Sequence, residues 1–124
     1  MERVVLVYTT YPSLVEAEKA GRDVVEQRLA ACVNILPGMV SHYWWEGKIE
    51  RGQEVVMIVK TRASFSDRVR KVLKASHPNK TPAIMIIAAE MVEDTYLRWI
   101  MQETDRAALG DPSCAIPTFC DVTE

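Results

Sequence analysis

The residue best suited to metal chemistry in this chain is His77, in the dipeptide His77-Pro78. A free imidazole is mostly neutral at pH 7, and neutral imidazole is a good ligand for Cu(II) and Zn(II). A metal site needs three or four donors, however, and a single histidine is not a site. The structural alternative, which the sequence favours, is that His77 caps the carbonyl end of the preceding helix or lines a polar pocket.

The three cysteines are weaker candidates for metal chemistry. Cys32 has apolar neighbours in a predicted strand, so we expect a buried, unreactive thiol. Cys114 and Cys120 share a proline-containing tail with Asp111 and Asp121, and two thiolates with a carboxylate could hold a soft metal. No further pair of ligands stands nearby, so ordinary thiols are the simpler interpretation.

A small-ligand site is indicated around Lys60, at the end of an apolar strand. Glu54 lies on the same face of that strand, because an even spacing keeps side chains together. With Tyr43 and Trp45, these residues could line a groove between subunits that accepts a small anion or a metal chelate. The alternative, which the sequence favours, is an inter-subunit salt bridge with aromatic packing.

Two other polar residues lie in the same part of the chain, His42 and Asn34. His42 alternates with apolar side chains, which predicts a packed or interface residue. Asn34 is expected to satisfy a buried backbone group.

The elements that position these residues follow from the hydrophobic pattern. Strands are predicted at 4–8, 31–45, 49–61 and 82–89, with an interruption of the second strand at Pro37-Gly38. Helices are predicted from Ser13 to Leu29, from a cap at Ser64 or Ser66 to the residue before His77, and from Glu93 onward. Ser13 and Glu16 form a capping-box pattern.

The order β-α-β-β-α-β with an additional C-terminal helix predicts an α+β, ferredoxin-like fold. Right-handed crossovers place the two main helices on one face of a four-stranded antiparallel sheet, with the first and third strands in the centre. We expect a single domain over residues 1–124, in which 110–124 is an arm or tail.

The composition excludes several classes of partner. The net charge is −2 and charged residues are interspersed, so neither a nucleic-acid nor a lipid-binding surface is indicated. The start MERVVLVYTTYP lacks the basic n-region of a secretory signal, and no apolar run approaches transmembrane length. Three cysteines are too few for a disulfide framework, which favours a reducing cytoplasm. We expect no cofactor to be required for folding.

The second and third strands form a hairpin that is too long for one small domain. Strands of 14 residues would reach about 46 Å, whereas a compact chain of this length is roughly 35 Å across. Trp44 and Trp45 at its tip point to opposite faces. The fourth strand adds an apolar sheet edge, and such edges are usually covered. We therefore expect a homo-oligomer that packs Tyr43, Trp44 and Trp45 at its interface. The alternative is a hairpin that bends at Pro37-Gly38 onto its own core.

Two long segments carry a resemblance to a known family. They are EQRLAACVNILPG at residues 26–38 and SHYWWEGKIE at residues 41–50. Further matches in the same order and spacing are Glu54, Lys60-Thr61, His77-Pro78 and Tyr96-Leu97-Arg98-Trp99. On these residues the chain resembles the CutA family of divalent-cation tolerance proteins. The resemblance implies a ferredoxin-like fold, a homotrimer and a role in tolerance of copper and other divalent metals, with no settled catalytic activity.

The resemblance supports the expectation of a trimer more strongly than the expectation of a metal site. The family's copper site uses a cysteine at the end of the first strand in some members, and histidine at or just before the His-Pro pair. This chain has Thr9 and Ser76 at those positions, so only His77 carries over. Three further positions also depart from the family pattern: Asn79, Ala83 and Val92.

Other functions of this fold are less well supported. An acylphosphatase needs glycine and arginine at the first strand–helix junction, where the chain has Tyr8-Thr9-Thr10-Tyr11-Pro12. An RNA-recognition module needs aromatic residues on both central strands and basic residues around them. The net charge of −2 does not indicate such a basic surface. A small-molecule-binding signalling trimer like the PII regulators remains the main alternative, although no glycine-rich phosphate loop is present. We expect a cytoplasmic homotrimer, not an enzyme, that binds copper or another divalent cation weakly or signals metal status to an unknown protein.

Overall fold

The structure, a computed structural model, describes residues 2–106 of the chain. Its elements in chain order are β1 (Val4–Tyr11), α1 (Leu14–Glu26), β2 (Cys32–Trp45), β3 (Lys48–Arg62), α2 (Ser66–Ser76), β4 (Ile84–Ala88) and α3 (Asp94–Glu103). A short 3-10 turn, Ala63–Phe65, joins β3 to α2. The predicted order of strands and helices is confirmed. The predicted tail at 110–124, with Cys114 and Cys120, lies outside the described residues.

The four strands form one antiparallel sheet in the order β2-β3-β1-β4. The first and third strands are central, as predicted from the double split-βαβ pattern. Val7 of β1 lies opposite Val59 of β3 and Ile86 of β4, which fixes the register across the sheet. The ferredoxin-like α+β fold is therefore confirmed.

Helices α1 and α2 cover one face of the sheet because each presents a stripe of apolar side chains to it. Their buried residues join those of β1 and β3 in one core cluster, which includes Val7, Tyr11, Ala17, Val24, Met57, Val59, Phe65, Val69 and Leu73. Helix α3 packs Ile100 and Met101 against Val4, whose side chain points to the opposite face from Val7. Within residues 2–106, the rest of that opposite face is not covered by a helix.

Helix α1 begins with the predicted capping box. The Ser13 hydroxyl accepts a hydrogen bond from the Glu16 backbone N–H at 3.2 Å and donates to the Glu16 carboxylate at 2.8 Å. The helix ends at Glu26, three residues before the predicted end, because Arg28 adopts a left-handed φ of 61°. Leu29 is nevertheless buried, since the turn returns it to the core.

The predicted serine cap of α2 is wrong. The helix continues directly from the 3-10 turn, and its N-cap residue, Phe65, makes no side-chain cap hydrogen bond. The backbone N–H of Ser64 donates instead to the Glu2 carboxylate at 2.6 Å. A residue distant in sequence thus takes the role that a local serine was expected to fill.

Arg62 anchors the end of α3 from within the protein, where only 3% of the residue is exposed. Its guanidinium donates to the Met101 carbonyl at 2.6 Å, to the Thr104 hydroxyl at 2.9 Å and to the Glu2 carboxylate at 3.4 Å. Three acceptors satisfy a buried cation that would otherwise be costly.

The β2–β3 hairpin extends well beyond the rest of the sheet. The last residue of β1, Tyr11, pairs with Val55, so β3 continues outward with only β2 beside it. Glu46 and Gly47 form the tip with φ angles of 50° and 80°, the conformation of a type I′ turn. The interruption expected at Pro37-Gly38 is a β-bulge, which an edge strand tolerates.

The tip of the hairpin is not buried by its own chain. Trp44 is 72% exposed, and Trp45 is 54% exposed. Ile49, the register partner of Trp44, is also exposed. The alternative of a hairpin folded onto its own core therefore does not describe this chain.

Gly21 provides a test of the packing between α1 and the sheet. A Cβ atom at this position would lie 2.9 Å from both Met57 Sδ and Val33 Cγ2. Alanine in a helix interior usually stabilises by roughly 0.5–1 kcal/mol relative to glycine, whereas overpacking costs about 1–3 kcal/mol. We expect Gly21→Ala to lower the free energy of unfolding by roughly 1 kcal/mol in urea denaturation at fixed protein concentration. Glu18→Ala, at an exposed site of the same helix, is the control, and a Gly21→Ala protein more stable than wild type would contradict the packing described here.

Candidate functional site

His77 lies at the C-cap of α2 and links that helix to β1. Its Nε2 is 2.7 Å from the Thr10 carbonyl oxygen, and its Nδ1 accepts a hydrogen bond from the Asn79 backbone N–H at 3.0 Å. Because Nδ1 is the acceptor, the neutral ring carries its proton on Nε2 and donates it to Thr10. The ring also stacks on Tyr11, with centroids 4.4 Å apart.

These contacts leave no ring nitrogen of His77 free to bind a metal. Within residues 2–106, no group of three or more His, Cys, Asp or Glu side chains is arranged to hold a metal ion. The described residues of one chain therefore do not fit a preformed metal centre. The prediction that His77 is a structural residue therefore agrees with these contacts, but the predicted partner of its ring does not. The imidazole bonds to Thr10 of β1. The contact with α2 is made by the His77 backbone N–H, which donates to the Lys74 carbonyl at 3.4 Å.

Three of the four predicted ligand-pocket residues meet in one groove of about 520 Å³ beside the hairpin. We call it the hairpin groove. Tyr43, Trp45 and Glu54 form its hairpin side. The opposite wall and floor consist of Thr10, Pro78, Asn79, Lys80, Thr81 and Ala83. Its size is typical of small-ligand pockets, and it combines aromatic surface with one carboxylate and one ammonium group.

Lys60, the fourth predicted pocket residue, lies elsewhere. It is six residues from Glu54, so the two are about 20 Å apart along β3 even though they share a face. Its ammonium group donates to the Tyr96 hydroxyl at 3.0 Å and lies 5.4 Å from the centre of that ring. The hydrogen bond to Tyr96 raises the pKa of Lys60 above its usual value. The even spacing correctly placed Lys60 and Glu54 on one face of β3, but it did not show that the two side chains lie too far apart to share a pocket.

Sequence reasoning missed the aromatic pair that accompanies Lys60. Tyr96 and Trp99 of α3 stack with ring centroids 5.6 Å apart. Their spacing of three residues places both on one face of the helix, and that signal was available in the sequence. The pair adds to the apolar surface on the uncovered face of the sheet.

Cys32 and Asn34 differ from what the sequence predicts. Cys32 is half-buried rather than fully buried. Asn34 is exposed, and its amide donates to the Cys32 sulfur at 3.8 Å, so its predicted bond to a buried backbone group is wrong. Both residues are in β2, an edge strand whose faces are less covered than those of β3. His42 is also exposed in this chain.

A second groove, of about 510 Å³, lies between α1 and the end of α2, and we call it the helix groove. It is lined by Tyr11, Glu16, Lys19, Ala20, Arg22, Asp23, Glu26, Ser76 and Pro78. The Tyr11 hydroxyl is buried and has no hydrogen-bond partner among the described residues. Burial, with a smaller contribution from the negative charge of Glu16, raises the pKa of Tyr11 to about 12. Sequence reasoning did not identify this groove.

Comparison with known proteins agrees with the fold and the resemblance. The family model for the CutA1 divalent ion tolerance protein matches residues 5–103. The chain belongs to the CutA1 family. None of the described helices is long and apolar enough to cross a membrane.

Individual CutA relatives cover most of this chain. The divalent-cation tolerance protein CutA of Archaeoglobus fulgidus is 48% identical over 76% of this chain and 91% of its own length. The Pyrococcus horikoshii protein of the same name is 39% identical over 83% of this chain and 100% of its own. The crystal structure of CutA from Xylella fastidiosa superposes with a TM-score of 0.80 at 41% identity, covering 83% of this chain and 99% of that one. The Archaeoglobus fulgidus and Pyrococcus horikoshii relatives are named for tolerance of divalent cations rather than for a catalysed reaction.

The double hydrogen bonding of His77 predicts a structural role that can be measured. His77→Ala removes both ring hydrogen bonds and the stacking on Tyr11. We expect it to lower the free energy of unfolding by about 1–3 kcal/mol, measured in urea at fixed protein concentration. The matched control is Lys80→Ala, an exposed site in the same loop, for which we expect a change within about 0.5 kcal/mol. Equal unfolding midpoints for His77→Ala and wild type would contradict the structural role.

Proposed function

We propose that this CutA1-family chain assembles into a homotrimer that contributes to tolerance of divalent cations without catalysing a reaction. In this proposal the trimer binds a divalent cation weakly, or passes metal status to another protein. The observation that carries the proposal is the exposed apolar surface of the hairpin.

The hairpin surface extends along one face of its outer part. Val40 and Trp44 of β2 share this face with Ile49 of β3, and all three are exposed. Exposed apolar patches on soluble proteins usually mark interfaces. Aromatic side chains such as Trp44 and Trp45 are the residues that most often anchor such interfaces.

The other edge of the sheet carries a second uncovered apolar surface. Met85, Ile86 and Ile87 of β4 are exposed, and among the described strands β4 has a neighbour on one side only. Sheet edges of this kind are usually paired or covered. A trimer in which each hairpin packs on a neighbouring subunit would cover both surfaces together.

Weak binding of metal agrees with the contacts of His77. A cation that uses this imidazole must first displace the Thr10 carbonyl or the Asn79 N–H. Breaking that hydrogen bond reduces the net affinity. Copper is the metal that we propose first, because an imidazole donor binds Cu(II) more strongly than the other divalent first-row metals.

We also propose that the protein acts in a reducing compartment, the cytoplasm, on the basis of its three cysteines. Relatives differ in this respect. A structure of the Archaeoglobus fulgidus protein describes it as periplasmic, and the Arabidopsis thaliana relative is described as chloroplastic.

The hairpin groove favours a second candidate function, a signalling trimer that binds a small molecule as the PII regulators do. Tyr43 and Trp45 offer aromatic surface for a flat ring, and Lys80 on the opposite wall offers positive charge. A ligand in this groove would contact both the hairpin and the loop that His77 anchors. Binding of that ligand would therefore alter the contacts between the hairpin and the neighbouring subunits.

The trimer is tested by removing one aromatic anchor from the hairpin. We expect Trp45→Ala to weaken association by about 2 kcal/mol per interface, as for other aromatic anchors. Sedimentation equilibrium over a range of protein concentrations would then show dissociation to smaller species.

The matched control for the trimer is Val15→Ala, which removes a 75% exposed apolar side chain from α1, away from the hairpin. We expect this variant to sediment as wild type does. A wild-type chain that sediments as a monomer at micromolar concentration would contradict the trimer, and unaltered association of Trp45→Ala would contradict its role as an anchor.

Metal binding is tested by calorimetric titration of Cu(II) and Zn(II) at pH 7. We expect wild type to bind Cu(II) with a dissociation constant weaker than about 1 μM, equivalent to about 8 kcal/mol, and His77→Ala to bind more weakly still. Identical isotherms would remove His77 from the site, and nanomolar affinity would contradict weak binding. A calorimetric titration with ATP separates the two functions, because a signalling trimer of the second kind would bind ATP without added metal.

A further inference from the structure

Tyr11, in the lining of the helix groove, carries a buried polar atom that residues 2–106 do not satisfy. Tyr11 is 1% exposed, and its phenolic oxygen has no hydrogen-bond partner among residues 2–106. The ring is held in place by stacking on His77 and by the core cluster. Buried hydroxyl groups in proteins nearly always have a partner. A ligand in the helix groove, which Tyr11 lines, would supply that partner.

The charges around this hydroxyl favour a cationic ligand. Three carboxylates and two cationic side chains line the groove, which gives a formal balance of −1. Arg22 is already paired with Glu26 at 3.1 Å. Glu16 is the half-buried carboxylate, and its negative charge acts directly on Tyr11. An anionic ligand would meet these carboxylates, whereas a cationic ligand would be attracted by them.

The ligand is not a metal ion. In the described part of the chain, no three potential metal ligands converge. The Tyr11 hydroxyl also stays protonated far above neutral pH, while a metal ligand must usually be deprotonated. A protonated phenol instead suits an organic hydrogen-bonding partner, because its oxygen accepts hydrogen bonds and its proton remains available for donation.

We propose that the helix groove binds a small organic molecule with a primary ammonium group, which donates hydrogen bonds to the Tyr11 oxygen and the Glu16 carboxylate. Ala20 and Pro78 supply apolar surface for the carbon skeleton beside that group. The volume of the groove lies in the range of pockets that hold small organic ligands. This site shares only Pro78 with the hairpin groove and does not depend on the proposed function.

The test uses 1,4-diaminobutane as the probe, titrated into the full chain in a calorimeter at pH 7. Two variants change the proposed contacts with little change of shape. Tyr11→Phe removes only the hydroxyl, and Glu16→Gln removes the charge but keeps an oxygen that can accept the Ser13 hydrogen bond. The matched controls are Tyr8→Phe, whose hydroxyl contacts Met39 on the other face of the sheet, and Glu18→Gln, an exposed site on α1. The neutral 1,4-butanediol and the dianionic succinate serve as comparison ligands.

We expect the diamine to bind wild type at millimolar concentration or below, and at least tenfold more weakly to Tyr11→Phe and Glu16→Gln. The two control variants should bind as wild type does, and the diol and succinate should bind at least tenfold more weakly than the diamine. Absence of diamine binding at 10 mM, roughly a tenfold excess over a millimolar dissociation constant, would overturn the proposal. Equal binding by Tyr11→Phe, or tighter binding of succinate, would also overturn it.

A second measurement asks whether the hydroxyl already has a structural partner. Without ligand, Tyr11→Phe should unfold at the same temperature as wild type or at a higher one, because it removes an unsatisfied buried group. A clearly lower unfolding temperature would show that the folded protein already satisfies the hydroxyl, for example through a neighbouring copy. That result would overturn the proposal even if the diamine bound elsewhere.

Discussion

The pairing of β3 with two partners of unequal length determines most of what this protein can do. β3 pairs with β1 only as far as Val55, but with β2 along almost its entire length. Where all three strands are present, the helices cover one face and form the core. Beyond that point no described helix covers the hairpin, and its aromatic tip is exposed. One difference in strand length thus separates a packed core from an exposed apolar surface of the kind that usually marks an interface.

The fold could be predicted largely because its signals are local or periodic. The capping box of α1, the turn at Glu46-Gly47 and the end of α2 before His77 each depend on a few adjacent residues, and each is where the sequence places it. The α2 cap failed because its partner, Glu2, is far away in the chain. The predicted end of α1 was wrong because Arg28 adopts a left-handed conformation, and an arginine, unlike a glycine, does not indicate that conformation in the sequence.

The candidate site was less predictable, since a site depends on distances across the fold. Alternation correctly placed Glu54 and Lys60 on one face, yet only Glu54 lies beside Tyr43 and Trp45. His77 could be identified as important without its role being clear, because the role depends on Thr10 and Asn79 meeting its two ring nitrogens. No sequence pattern predicted the helix groove. Its defining property is that the Tyr11 hydroxyl has no hydrogen-bond partner among residues 2–106, whereas in the sequence Tyr11 is only the last residue of an apolar strand.

The joint use of Glu2 by two distant parts of the fold has a practical meaning for handling this protein. One of its carboxylate oxygens accepts from the Ser64 backbone N–H in the 3-10 turn before α2, and the other approaches the guanidinium that holds the end of α3. Glu2 therefore links the 3-10 turn that precedes α2 to the Arg62 side chain that holds the end of α3. A change that removes the Glu2 carboxylate would therefore break hydrogen bonds at both places at once.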